Sequence, residues 1–176
     1  GFWIQQGAGP YSGVFVYAGR DPLSVNARVG AVVNVNAVYV EYGSGSNLSE
    51  LINPVVELVS DGGQVEVTTV AASELAGTSD GDNHDVAEQW EGVLVRIENV
   101  EVTNIYPDAE DGDACPDEPC RDYGELALTD GLRMDDYLVP DLEEGVLFER
   151  RVGLRFLSVT GIADERFGNH KIVPRR

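Results

Sequence analysis

Apolar residues recur at every second position along several stretches of the chain. Val33 and Val35, then Val38 and Val40, mark one run over 32–40; Val93, Val95 and Ile97, then Val100 and Val102, mark another over 93–102. Alternation of this kind fills one face of a pleated strand. In both runs the apolar phase moves from odd to even positions midway. Leu157, Val159 and then Ile162 repeat the move, with Gly161 at the break. An extra residue in the strand, most simply a β-bulge, accounts for it. Long bulged strands are the means by which small closed barrels turn corners. A shorter β-branched and aromatic run, Ser12-Gly13-Val14-Phe15-Val16-Tyr17, predicts a further strand.

Turn chemistry separates the runs: Gly43-Ser44-Gly45-Ser46-Asn47, Ser60-Asp61-Gly62-Gly63 and Asp130-Gly131. Helical spacing is weak, and only 70–76 and 85–90 predict short helical turns. An internal echo organises the rest. Val29-Gly30 followed by Val33-Asn34-Val35-Asn36-Ala37-Val38 matches Val152-Gly153 followed by Leu157-Ser158-Val159-Thr160-Gly161-Ile162. Each run leads to a short strand ending in proline, at Pro54 and Pro174. Gly1-Phe2-Trp3-Ile4-Gln5 and Gly124-Glu125-Leu126-Ala127-Leu128 precede them in corresponding places. The division that follows is a first β-unit over 1–72, an acidic linker with short helical turns over 73–90, and a second β-unit over 91–176 with an acidic, cysteine-containing loop at 106–123. The second unit has a leading strand over 91–104 and the first has none. Three sources for a completing strand are open: the 91–104 strand shared by both units, which is favoured, an upstream segment, or a neighbouring molecule.

Charge narrows the partners. The 176 residues include 31 acidic and 12 basic side chains, for a net charge of −19. Such a field slows encounter with a phosphate backbone. A hydrophobic content of 43% supplies a core and argues against global disorder. No apolar run is long enough to cross a membrane as a helix, so no membrane insertion is expected.

Two acidic loops offer oxygen ligands among glycines: Asp80, Asp82 and Asp85 in one, Asp108, Asp111 and Asp113 in the other. Hard cations, Ca²⁺ first among them, suit such donors, although neither loop completes an EF-hand. A solvated acidic loop is the competing reading. Cys115 and Cys120 stand apart from other soft ligands, with both His residues distant in sequence, which makes a poor zinc site. A local disulfide is expected instead, and with it an oxidising compartment. No catalytic motif is visible, so the chain is expected not to be an enzyme.

Gly1-Phe2-Trp3-Ile4-Gln5, Ser12 to Tyr17, and Val29-Gly30 with Val33, Val35, Val38 and Glu41-Tyr42 resemble the OB-like region of large extracellular bacterial endonucleases. So do Trp90-Glu91-Gly92-Val93-Leu94-Val95, Gly124-Glu125-Leu126, and Gly161-Ile162 with Phe167-Gly168-Asn169-His170-Lys171-Ile172-Val173-Pro174. The resemblance spans nearly the whole chain except the acidic loops, and nothing matches that family's separate catalytic domain. It implies an all-β architecture of one OB-like barrel or two interlocked units, from a secreted or surface protein. It also implies single-stranded nucleic-acid binding, for which Arg166, His170 and Lys171 with Tyr39 and Tyr42 are the candidates. Packing within the sheets is the competing role for these aromatics. The expected function is a non-catalytic interaction or scaffold module, calcium-stabilised or not, for a protein partner or the rest of a longer secreted chain. Single-stranded nucleic-acid support of a nuclease, and binding of a polysaccharide, are the alternatives.

Overall fold

The computed structural model describes residues 1–19, 28–43, 48–81, 83–109, 123–136 and 150–175. It is mostly β. In the first unit, β1 (Phe2–Gln5), β2 (Gly13–Tyr17), β3 (Val32–Tyr42) and β4 (Leu48–Ser60) form one sheet in the order β1-β2-β4-β3. β1 and β2 are antiparallel, β2 and β4 parallel, β4 and β3 antiparallel. The second sheet contains β5 (Thr68–Thr69), β6 (Leu94–Asn104), β7 (Glu125–Leu128), β8 (Arg133–Asp135), β9 (Arg155–Arg166) and β10 (Asn169–Pro174). Their order is β5-β6-β7-β8-β10-β9, and β6 also pairs with β9. Five strands therefore close into a barrel, the closed all-β form that the alternating bulged runs anticipated and the OB-like architecture that the resemblance implied.

The internal echo is topological. β7 and β8 are antiparallel, β8 and β10 parallel, β10 and β9 antiparallel, which repeats β1, β2, β4 and β3 pair for pair. What differs is β6. It joins β7 to β9 and closes the second unit, whereas β1 and β3 remain the two edges of an open sheet among the described residues. Among the described residues the ladder pairs of β6 run to β5, β7 and β9 alone, so there the favoured sharing of the 91–104 strand between units does not occur.

Register explains the phase moves. Asn36 pairs with Val55 and Val38 with Ile52, so two residues of β4, Asn53 and Pro54, oppose one of β3. Asn53 takes a left-handed φ of 52°, and Pro54, which has no N–H for a ladder, sits where none is required. The extra residue thus lies in β4, opposite the run that betrays it. In β6 the change falls at Asn99, φ 55°, while pairing with β9 continues on either side, Glu98 with Ser158 and Val100 with Phe156.

Cores are unequal. Val93, Val95, Ile97, Val100, Val102, Leu126, Leu128, Leu132, Met134 and Ile172 fill the barrel. Among the described residues of β1 to β4, the buried apolar side chains are Phe15, Val16 and Leu48 alone. At about 1.5–3 kcal/mol per buried side chain, three such residues make a thin core, so the open sheet must lean on the barrel. The expected short helices form as α1 (Ala72–Leu75) and α2 (His84–Glu88), and the stretch from 72 to 90 sends Leu75, Ala76 and Trp90 into the barrel core.

The two units meet backbone to backbone. A Cβ on Gly13 would lie 2.1 Å from the Gly92 carbonyl oxygen, and one on Gly92 2.6 Å from the Val14 nitrogen. Gly92 in turn is fixed to β9 through its N–H, donated to the Ala163 carbonyl at 2.8 Å. Neither backbone can retreat cheaply. Gly13→Ala is expected to destabilise the protein by about 1–3 kcal/mol, measured by denaturant unfolding, while Val29→Ala at a 95% exposed position leaves the midpoint unchanged.

Candidate functional site

The seam between sheet and barrel is lined by acids. Glu50, Glu91, Asp164 and Glu165 are all buried, with Glu88 half-buried beside them. Three elements bring the group together. α2 presents His84 and Glu88 one turn apart, on a common face. β9 and β10 form a hairpin whose turn residues, Phe167 and Gly168, both have left-handed φ, 55° and 78°, the geometry of a tight two-residue hairpin. Directly across that hairpin, His170 pairs with Glu165, which sets their side chains next to one another.

Backbone bonds join the segment between α1 and α2 to the hairpin. His170 N–H donates to Gly77 O at 3.0 Å, and Ser79 N–H to Gly168 O at 3.1 Å. The Asn83 amide donates to Ser73 O at 2.9 Å and Ala76 O at 2.5 Å, satisfying carbonyls that the end of α1 leaves open. Consequently His84 Nδ1 and His170 Nε2 stand 2.9 Å apart. His84 Nε2 is 3.8 Å from Glu88 Oε2, and His170 Nε2 is 3.7 Å from Glu165 Oε2. The Ser79 hydroxyl donates to Glu165 Oε1 at 2.5 Å.

Arg166 ties the two units electrostatically. Its Nε donates to Asp164 Oδ2 at 2.6 Å, and its guanidinium lies over the rings of Trp3 and Phe15, 5.8 and 5.4 Å from their centroids. The Ser49 N–H donates to Glu91 Oε1 at 2.9 Å, and the Leu94 N–H to Gln5 Oε1 at 2.8 Å. Burial pushes the Glu91 carboxyl up to about 9, helped by the Glu88 charge. Burial, then the neighbouring Glu165 charge, pushes Glu88 up to about 7. Asp164 rises to about 6 through burial, against the opposing pull of Arg166. Burial lowers His170, which holds the ring neutral.

Beside this cluster a cavity of about 560 Å³ spreads over one face of the open sheet. Its floor is a row of register partners, Ile4 with Val14 and Leu51 with Tyr39. Glu88, Gln89 and Glu91 form the opposite wall, and Tyr11 stands at the side. The Tyr39 hydroxyl is hydrogen-bonded to the Glu41 carboxylate and lies 3.1 Å from Ser49 Oγ.

The residues proposed from sequence are scattered over these environments. Arg166 stacks at the seam. His170 is buried against His84. Lys171 is fully enclosed, its ammonium donating to Glu125 and, at 3.2 Å, to Asp135. Tyr39 and Tyr42 are exposed. Lys171 and His170 are therefore not presented to a surface polyanion. Of the acidic-loop residues, Asp80 accepts from the Thr78 hydroxyl at 3.1 Å, Asp85 sits in the first turn of α2, and Asp108 pairs with Arg133 at 3.2 Å. Asp82, Asp111, Asp113, Cys115 and Cys120 lie outside the described residues. The His84–Glu88 spacing was visible in the sequence; its meeting with His170 and Glu165 depends on the hairpin. No protein-family model, curated protein or solved structure matches the chain.

Two outcomes follow from the buried charges. Glu91 is an acid whose folded value is raised, so its protonated form is the one the fold prefers. Its contribution is intact below its ordinary 4.5 and is lost as pH rises toward about 9. Glu91→Gln, which keeps an acceptor for Ser49, should therefore raise Tm relative to the parent by an amount that grows across that range. Equal shifts at both ends, read by differential scanning calorimetry, would contradict it. Lys171→Met leaves the Glu125 carboxylate buried without its ammonium, and an unfolding titration should show a loss of about 3–5 kcal/mol.

Proposed function

We propose that the chain is a non-catalytic interaction module that receives an extended segment of a partner protein in the open half-barrel of its first unit. The observation that carries this reading is the repeat itself. In the second unit β6 lies between β7 and β9; the matching strands of the first unit, β1 and β3, are both sheet edges among the described residues. An edge offers backbone donors and acceptors to an incoming strand. The cavity supplies pockets for alternate side chains, with Ile4, Val14 and Leu51 as its apolar floor.

The charge of −19 favours a partner segment that carries Lys or Arg, by steering and by opposite-sign contact at the rim. Tyr39 and Tyr11 add aromatic faces suited to such cations. Nucleic acid, the alternative implied by the resemblance, would meet the same field as repulsion, and two of its three candidate cations are enclosed.

A labelled peptide of alternating valine and lysine, followed by fluorescence anisotropy, tests the reading. Binding should weaken as salt rises, fall several-fold in Tyr39→Ala, and disappear when alternate peptide residues are replaced by proline, which removes ladder donors. Binding of labelled oligothymidylate or of a neutral oligosaccharide in place of the peptide would contradict it, as would indifference to the proline substitutions.

A further inference from the structure

We propose that His84, Glu88, Glu165 and His170 bind one divalent transition-metal ion of the zinc type. Each offers one ligand atom, and these four atoms lie within 4.8 Å of one another. They come from α2, β9 and β10, and the backbone bonds around Gly77, Ser79 and Gly168 tie the segment that leads into α2 to the β9–β10 hairpin. The set is therefore preorganised.

The imidazole contact is the most telling feature. Two ring nitrogens 2.9 Å apart must share one proton, one ring donating N–H to the lone pair of the other. Two ligand nitrogens on one tetrahedral ion, each about 2.0–2.1 Å from it, stand only a few tenths of an ångström further apart. Small ring movements would thus exchange the shared proton for a cation between two lone pairs. Glu88 Oε2 supports this: it is closed off from solvent, and no hydrogen bond is made to it among the described residues.

Donor chemistry selects the ion. Two imidazole nitrogens and two carboxylate oxygens match a four-coordinate zinc-type site, whereas calcium prefers six to eight oxygens. The charges also balance, because two glutamates and two neutral imidazoles around a dication sum to zero in a buried place. With all four positions filled by protein the site is a structural one. It would fasten α2, and with it the wall of the cavity, to the barrel.

Isothermal titration of chelator-treated, tag-free protein with zinc chloride is the first measurement. One zinc per chain should bind, with a rise in Tm, and cobalt(II) should give the visible absorption of a four-coordinate N/O site. His84→Ala and Glu88→Gln alter partly exposed positions, so their folding can be verified by circular dichroism. Each should weaken zinc by at least about tenfold, and Asp80→Asn should not. Absence of stoichiometric zinc binding would overturn the proposal. So would zinc affinity unchanged in both variants, or calcium binding as tightly at the same site.

Discussion

Carboxylates buried without enough cations are the constraint on which this structure turns. Glu50, Glu91, Asp164 and Glu165 are enclosed where sheet meets barrel, and the cations and imidazoles acting on this group are Arg166, Lys171, His84 and His170. Desolvation and mutual repulsion raise Glu91, Glu88 and Asp164; protons supply part of the missing positive charge. Few apolar residues of the first unit are buried, so its attachment depends on this polar seam and on the Gly13–Gly92 contact. A fold that gave up so much of its interface to acids gains a site in return: a pair of carboxylates facing a pair of imidazoles can hold a dication that a hydrocarbon seam could not.

The same arrangement places the cavity. α2 contributes Glu88 to the buried cluster and, through Glu88 and Gln89, to the wall over the open sheet. Whatever fixes α2 therefore fixes the shape of that groove. The repeat then distinguishes the two units. One barrel is closed by its own β6 and filled with apolar side chains, while β1 and β3 of the other unit are sheet edges among the described residues and Tyr11, Tyr39 and Tyr42 are exposed. Closure provides stability, and the open counterpart is the surface proposed for a partner segment.

Much of the fold was legible in the sequence because strands write themselves at period two. The runs around Val33, Val93 and Val159 mark β3, β6 and β9, and the echo between the first and the last corresponds to a true repeat of strand pairing. The phase moves announced irregularity, but their location needed the partner strand: the residues opposite Ala37 are Asn53 and Pro54, in β4. The candidate site was less legible. Charge and composition drew attention to Asp80 and Asp108, which stand in visible acidic runs, yet a ligand set is made by convergence in space. His84 and His170 are brought together by a two-residue hairpin turn and a helix of five residues, and neither carries a periodic signal. Lys171 shows the reverse error. A candidate for nucleic acid in the sequence, it is the enclosed counter-ion of Glu125 and Asp135.

X-ray anomalous scattering at the zinc edge, on crystals of zinc-loaded protein, addresses the seam directly. A single peak is predicted between the imidazoles of His84 and His170, about 2.0–2.2 Å from their nearest nitrogens and from one oxygen of each of Glu88 and Glu165. A direct hydrogen bond between the two rings in those crystals, with zinc scattering only at Asp80, Asp85 or Asp108, would contradict the account.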